Sequence, residues 1–284
     1  MVQKKMERLN FFWKKNLPLL EKELKKYIRS NSLLYKVMAY SLLDGGKRLR
    51  PLLVLAASES VGGKIENVLP AACALEMIHT FSLIHDDLPA LDNDDFRRGK
   101  LSSHKKFGEA LAILAGDALL TKAFEILAET TKEAGSLKQV LKEVSYACGG
   151  EGMIGGQVMD ITLSSKFKVQ SSKLEKIYRK KTGALIKVCL KIGALLSGAK
   201  SDQLRALEKY GENIGLAFQI GDDLIDYKQQ KEMKLWTYPR IFGIKQTKKR
   251  IKELTMEAKK ALKIFGPRGK ILKEFADLVS TRKK

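Results

Sequence analysis

Between residues 90 and 238 the chain has no proline, and apolar residues recur there three and four positions apart. The stretches 107–130, 174–198 and 204–227 keep this spacing for several turns, which predicts long helices. They are apolar over more than half of their circumference, as helices packed on several sides of a large bundle are. No run of alternating Val, Ile and Thr offers a sheet. The pattern therefore predicts an all-α fold, one helical domain over residues 1–284, with breaks at 58–63, 162–172 and 197–202, the last with Ser201 as a cap. The final twenty or so residues alternate Lys with apolar positions and read as a closing surface helix. Gly116, Gly183, Gly215 and Gly221 sit inside predicted helices at a cost of about 1 kcal/mol each relative to Ala, so close packing or a ligand is expected beside them.

Composition changes the picture only slightly. With 284 residues and 44% hydrophobic content the chain can bury a large core. Cys73, Cys148 and Cys189 have no ligand spacing and read as buried apolar residues in a reducing, cytoplasmic setting. The start, MVQKKMERLNFFWKK, lacks the apolar stretch of a signal peptide, and no transmembrane segment is expected. The net charge of +21 raises nucleic acid as a partner. Most of the basic residues are Lys, spread over helical faces, and no zinc-finger or strand-borne aromatic signature accompanies them. They read as a solvated surface that favours small diphosphates or an anionic membrane surface, with no nucleic acid.

Two acidic clusters carry the candidate chemistry. The first is HDDLPALDNDDFRRG over 85–99, the second QIGDDLID over 219–226, and each follows an apolar helical segment. Asp222 and Asp226 share a helix face, with Asp223 beside them. Pro89 should end the first helix after Asp86 and Asp87 and let Asp92 fold back toward them. Like charges so placed repel unless a cation sits among them, and oxygen-only ligands suit Mg²⁺ bridged to substrate phosphates. The spacing is not that of an EF-hand. No P-loop, dinucleotide fingerprint, HExxH or activated Ser or Cys is present. The basic counterpart is GGKRLRP at 45–51, where Lys47, Arg48 and Arg50 precede a helix that Pro51 can start. Arg97 with Arg98, and Lys181-Thr182-Gly183, are further anion-binding elements, and His79 lies two turns before Asp86 on the same face. Metal-binding walls, diphosphate holders and an apolar interior together suit diphosphate substrates with hydrocarbon tails.

These residues resemble the trans-type polyprenyl diphosphate synthases, and among them the bacterial farnesyl diphosphate synthases. The strings that carry the likeness are GGKRLRP (45–51), EMIHTFSLIHDDLPALDNDDFRRGK (76–100), HKKFGEALAILAGDALL (104–120), GMIGGQVMD (152–160), KTGALI (181–186), FQIGDDLID (218–226) and TYPRIFG (237–243). The resemblance implies an all-α bundle around a deep cavity, usually a homodimer. It implies that Asp86, Asp87, Asp92, Asp222, Asp223 and Asp226 bind Mg²⁺, three ions per site, with Mn²⁺ able to substitute. Lys47, Arg50, His79 and Arg98 match the holders of isopentenyl diphosphate. Arg97, Lys181, Thr182 and Gln219 match contacts to the allylic diphosphate, with Lys181 also counted among the catalytic residues. The implied reaction ionises dimethylallyl or geranyl diphosphate, joins it to isopentenyl diphosphate, and loses a proton to the departing diphosphate.

Two residues bear on product length: Phe81, five before Asp86, resembles the floor of a cavity for a C15 product, and Ser82 beside it is small. One stretch departs from the family. Only 227–236 separates Asp226 from Thr237, with Leu235 where a lysine is usual, leaving Lys228, Lys231 or Lys234 to substitute. The expected activity is farnesyl diphosphate synthesis. The alternatives are geranylgeranyl diphosphate synthesis and a non-catalytic prenyl-diphosphate-binding partner subunit; a terpene cyclase would not need the second diphosphate site.

Overall fold

The computed structural model describes residues 6–131, 133–163, 170–229 and 236–282. Among these the chain forms thirteen α-helices. They are α1 (Glu7–Tyr27), α2 (Leu33–Leu42), α3 (Leu49–Val61), α4 (Ile65–Asp86), α5 (Ser103–Phe107), α6 (Glu109–Ala128), α7 (Ala134–Cys148), α8 (Met153–Leu163), α9 (Ser171–Tyr178), α10 (Ala184–Leu195), α11 (Ser201–Lys228), α12 (Tyr238–Ala261) and α13 (Lys270–Thr281). The strand content described is one hairpin of two-residue strands, with Phe96 opposite Leu101 and Arg97 opposite Lys100. The all-α expectation holds.

The centre is built by α3, α4, α10 and α11, with α6 against α4 and α12 along α11. Helix α4 is buried along most of its length, from Val68 to Ile84. It is long and apolar enough to cross a membrane by composition, but two-thirds of its most apolar window is buried inside the bundle. Its apolar character is that of a core helix, each fully buried large side chain contributing about 1.5–3 kcal/mol. Its carboxyl end carries the first acidic cluster.

Several local expectations are corrected. The stretch 174–198 is not one helix: a π-turn, Arg179–Gly183, separates α9 from α10. Both neighbouring helices press on that turn. A Cβ on Gly215 of α11 would lie 2.6 Å from Gly183 Cα, which is why glycine stands at 215 despite its helix cost. Helix α3 continues to Val61, so the break expected at 58–63 is confined to the residues after it. Ser201 is the first residue of α11 rather than its cap; the Gln203 side chain reaches back to accept from the Lys200 backbone N–H at 2.9 Å. Of the shortened stretch after Asp226, Lys228 ends α11, while residues 230–235, including Lys231, Lys234 and Leu235, lie outside the described residues.

Helix α13 is more than a surface closure. The buried Tyr210 hydroxyl on α11 donates to the Leu272 carbonyl at 2.7 Å, and the Leu9 N–H donates to Glu274 Oε2 at 2.8 Å. These bonds hold α13 against α11 and α1 and bring its end to the cavity described next.

Candidate active site

A cavity of about 1260 Å³ opens among α1, α3, α4, α8, α11 and α13. Its acidic groups come from two helices. On α4, His79, Ser82 and Asp86 line it at helical spacing. After Asp86 the chain turns back: the Asp92 N–H donates to the Asp86 carbonyl at 2.9 Å, and Asn93 takes a left-handed φ of 52°. Pro89 does end the helix, and Asp92 folds back as its position suggested. Burial pushes the Asp86 carboxyl up to about 6, against the pull of Lys181 and with the push of Asp92. On α11, Phe218, Gln219 and Asp222 line the cavity. Burial lifts Asp222 to about 6 as well, opposed by Arg282 and reinforced by Asp226, one turn along the same helix.

Each aspartate pair divides. Asp87 is 2% exposed and does not line the cavity. It accepts from Arg97 Nε at 2.9 Å, while Arg97 Nη2 also reaches Asp94 at 3.0 Å. Arg97, expected at the allylic diphosphate, is thus turned to the acidic loop instead of the cavity. The reason is local: the short hairpin faces it toward two carboxylates within ten residues. Asp223 is 7% exposed and is also turned away. It accepts from the Tyr178 hydroxyl, from the Tyr238 N–H at 3.0 Å and from Gln219 Nε2 at 3.3 Å. Burial raises its carboxyl to about 6 even against those donors.

The cationic end is built around GGKRLRP. Gly46 has φ 108°, and a Cβ there would lie 2.8 Å from the Arg98 guanidinium carbon, so the turn needs glycine twice over. Arg98 donates to the Gly45 carbonyl at 2.7 Å. Arg48, grouped by sequence with the anion holders, is spent internally. It takes a left-handed φ of 44° and gives its guanidinium to Glu21 (2.6 Å), Glu76 (3.0 Å) and the Leu42 carbonyl (2.7 Å). Lys47, Arg50, His79 and Arg98 all line the cavity. Arg50 Nη1 donates to His79 Nε2 at 2.9 Å. Burial, then the nearby Arg50 and Arg98, hold His79 well below the usual imidazole range, so it stays neutral and accepts that bond.

The π-turn supplies the third group. Lys181 and Thr182 line the cavity; Lys181 Nζ contacts Asp160 Oδ2 at 2.8 Å, and the Thr182 hydroxyl donates to Gln219 Oε1 at 2.5 Å. A π-turn is a frequent feature of functional sites because it shifts side chains out of helical phase. The remaining walls are apolar: Trp13, Phe81, Leu83, Met153, Val158 and Ile161 among them. Phe81 is buried and meets the His85 ring edge-on, centroids 5.5 Å apart.

Sequence reasoning missed Arg282, Phe275, Leu278 and Val279 of the C-terminal segment, all of which line the cavity. Arg282 Nη1 lies 2.7 Å from Asp222 Oδ1, and its guanidinium stacks 4.5 Å from the Phe218 ring. The signal was present: 275, 278, 279 and 282 lie on one helical face. Gln157 was quoted as part of a matching string without a role; it also lines the cavity, with both amide atoms buried and without a hydrogen-bond partner.

The donor chemistry fits Mg²⁺. The acidic groups offer only carboxylate oxygens. That is the arrangement for a hard cation that takes its other ligands from water and substrate phosphates. Asp86 and Asp222, with Asp92 and Asp226 beside them, are the residues that would hold it.

Comparison with known proteins agrees with this site. Residues 31–253 match the polyprenyl synthetase family. The chain is 48% identical over 263 residues to a dimethylallyltranstransferase of Fischerella ambigua, covering 88% of this chain and 76% of that one. It is 43% identical to a geranylgeranyl diphosphate synthase of Cyanophora paradoxa, covering 93% of each. The apo crystal structure of an FPP/GFPP synthase from Zymomonas mobilis superposes with a TM-score of 0.88 at 33% identity, covering 99% of this chain and all of that one. With the matched segment spanning the cationic turn at 45–51 and both acidic clusters, the chain belongs to the trans-type polyprenyl diphosphate synthases, enzymes that condense isopentenyl diphosphate with an allylic diphosphate.

Proposed function

We propose that this enzyme makes farnesyl diphosphate from isopentenyl diphosphate with dimethylallyl and then geranyl diphosphate. Lys47, Arg50, His79 and Arg98 hold isopentenyl diphosphate. Asp86, Asp92, Asp222 and Asp226 would hold Mg²⁺, which when bound would supply the Lewis acidity that makes the allylic diphosphate a leaving group. Lys181 and the Thr182–Gln219 pair sit where the allylic carbon–oxygen bond breaks. The donor oxygens there stabilise the cation, and the apolar walls keep water from capturing it. The isopentenyl double bond attacks that carbon, a new carbon–carbon bond forms, and the neighbouring C–H proton leaves with the departed diphosphate. Asp87, Asp223 and Arg97 act by holding the elements that present these groups.

The observation that carries the C15 reading is Phe81, buried in the cavity wall. Five residues before Asp86 on a helix is about 7.5 Å deeper. A tail growing from the acidic mouth meets that ring after a few isoprene units. Phe81→Ala opens room for more carbons, each worth about 0.8 kcal/mol when buried. The test is the product profile by chromatography at equal conversion: C15 for the natural chain, shifted toward C20 or longer in the mutant. A natural profile dominated by C20 would replace this reading with geranylgeranyl synthesis, which the likeness to the Cyanophora paradoxa enzyme supports.

The reading includes a single domain over 1–284, a cytoplasmic setting and a homodimer. The exposed apolar side chains Ile113 and Leu114 on α6, which lie outside the cavity lining, support the last. A second copy laid there would cover them; sedimentation equilibrium checks it.

A further inference from the structure

Some of the lysines that look scattered along the chain are gathered on one face by α1 and the segment before α13. Helix α1 buries Leu9, Phe12, Asn16, Leu20 and Leu24. Its opposite face exposes Arg8, Lys14, Lys15, Lys22, Lys25 and Lys26. At about 100° per residue all six fall within roughly 60° of Phe11. Phe11 is 69% exposed and Leu19, at the edge of that face, 43%. Of the acids of α1, Glu7 alone is exposed, while Glu21 turns to Arg48 and Glu23 to Lys26. The turn before α13 adds to this surface. A groove of about 380 Å³ is lined by Arg8, Phe11 and Lys15 from α1, by Pro267 and Arg268 from that turn and by Lys270 at the start of α13, with Glu7 and Glu59 as its two acids. Exposed Ile264 and Lys263 lie a few residues earlier in the same turn.

A basic face studded with exposed large apolar side chains is not what a solvated surface requires. It is the composition of a helix that lies in a membrane interface, cations at the phosphates and apolar groups below them. We propose that the outer face of α1, with residues 263–270, docks this enzyme on an anionic lipid bilayer. Charge complementarity supplies most of the attraction, and Phe11, Leu19 and Ile264 enter the boundary between headgroups and acyl chains. The contact is peripheral, because among the described residues the one helix apolar enough to span, α4, is committed to the core. Nucleic acid suits the face less well. The cations are mostly Lys rather than bidentate Arg, and Leu19 and Ile264 offer no ring for a base to stack on.

The test is flotation of the full chain with vesicles. Vesicles of phosphatidylcholine mixed with phosphatidylglycerol should carry the protein; phosphatidylcholine alone should not. Binding should collapse at about 1 M salt, where the Debye length is about 3 Å. Each cation lost should weaken binding about fivefold, so Lys14→Glu, Lys15→Glu and Lys22→Glu together should cost more than about a hundredfold. Phe11→Ser should weaken it about tenfold, with the salt response kept. Turnover with soluble substrates should be unchanged in both variants, which also shows that they fold. Equal flotation on neutral vesicles, or a triple variant that floats like the natural chain, would overturn the proposal. So would an RNA oligonucleotide that displaces the protein from vesicles and binds Phe11→Ser as well as the natural chain; that result would assign the face to nucleic acid.

Discussion

The two aspartate pairs look alike in sequence and are supported differently in space. In each, the first carboxylate faces the cavity and the second faces away. At the end of α4 the turned-away Asp87 is held by Arg97, a partly exposed cation on a short hairpin. Along α11 the turned-away Asp223 is held by three donors from three elements: Tyr178 before the π-turn, Gln219 on its own helix and Tyr238 at the start of α12. The first anchor is a half-buried ion pair, its carboxylate inside and its guanidinium partly in water, that closes a loop. The second is a buried junction that joins the π-turn carrying Lys181 to the helix carrying Asp222. A repeated Asp-Asp thus encodes one cavity-facing carboxylate and one anchor, and the anchors differ in what depends on them.

The largest expected difference is between facing and turned-away carboxylates. Asp86→Ala or Asp222→Ala should cut kcat by about 10²–10³-fold, as loss of one electrostatic group at a developing charge does. Metal-free thermal stability should fall little, because each carboxyl is held above its ordinary pKa and its ionised form adds no net stability to the fold. Equal kcat losses in Asp87→Ala and Asp223→Ala, with no loss of stability, would break the distinction.

The next difference separates the anchors from each other. Asp223→Ala strands the buried Tyr178 hydroxyl and the Tyr238 N–H, and should cost about 3 kcal/mol, on the order of 8 °C in Tm. Asp87→Ala frees a partly exposed Arg97 to re-solvate, and should cost only about 1 kcal/mol. Calorimetric melts of both variants at one pH check the ranking.

Much of this was legible beforehand. Helical spacing gave α6 and α11 to within a few residues, since long apolar stripes leave little freedom of period. Asp86, Asp222, Lys181 and the cationic turn could be picked out because unpaired like charges need a ligand. The anchors could not. Tyr178 and Asp223 are 45 residues apart, and only packing of α9 on α11 brings them together. Arg48 and Arg50 are the same residue two positions apart; the left-handed backbone at Arg48 decides which one turns inward. The π-turn went unseen because it adds one residue to a helix whose apolar pattern continues on either side.

A smaller effect lies in pH. Without metal, Asp86 and Asp222 sit at about 6 against an ordinary 3.8, so the folded chain holds protons that the unfolded chain has lost. Their contribution to metal-free stability is therefore greatest below about 3.8 and is lost as pH rises through about 6. Mg²⁺ must displace those protons, so its stabilisation runs the other way, full above about 6 and falling below it. The rise in Tm on adding Mg²⁺ with an unreactive allylic diphosphate analogue should be larger at pH 8 than at pH 5.5. An equal rise at both would mean these carboxylates are not the ones that meet the metal.

The division within each pair is tested most directly by counting bound metal. Mn²⁺ in place of Mg²⁺ reports its own occupancy by paramagnetic resonance, titrated in the presence of the same analogue. Asp222→Asn should lose tight Mn²⁺ binding while its Tm stays near that of the natural chain. Asp223→Asn should keep the full Mn²⁺ count while its Tm falls. An Asp223→Asn variant that loses an ion and melts unchanged would contradict the account.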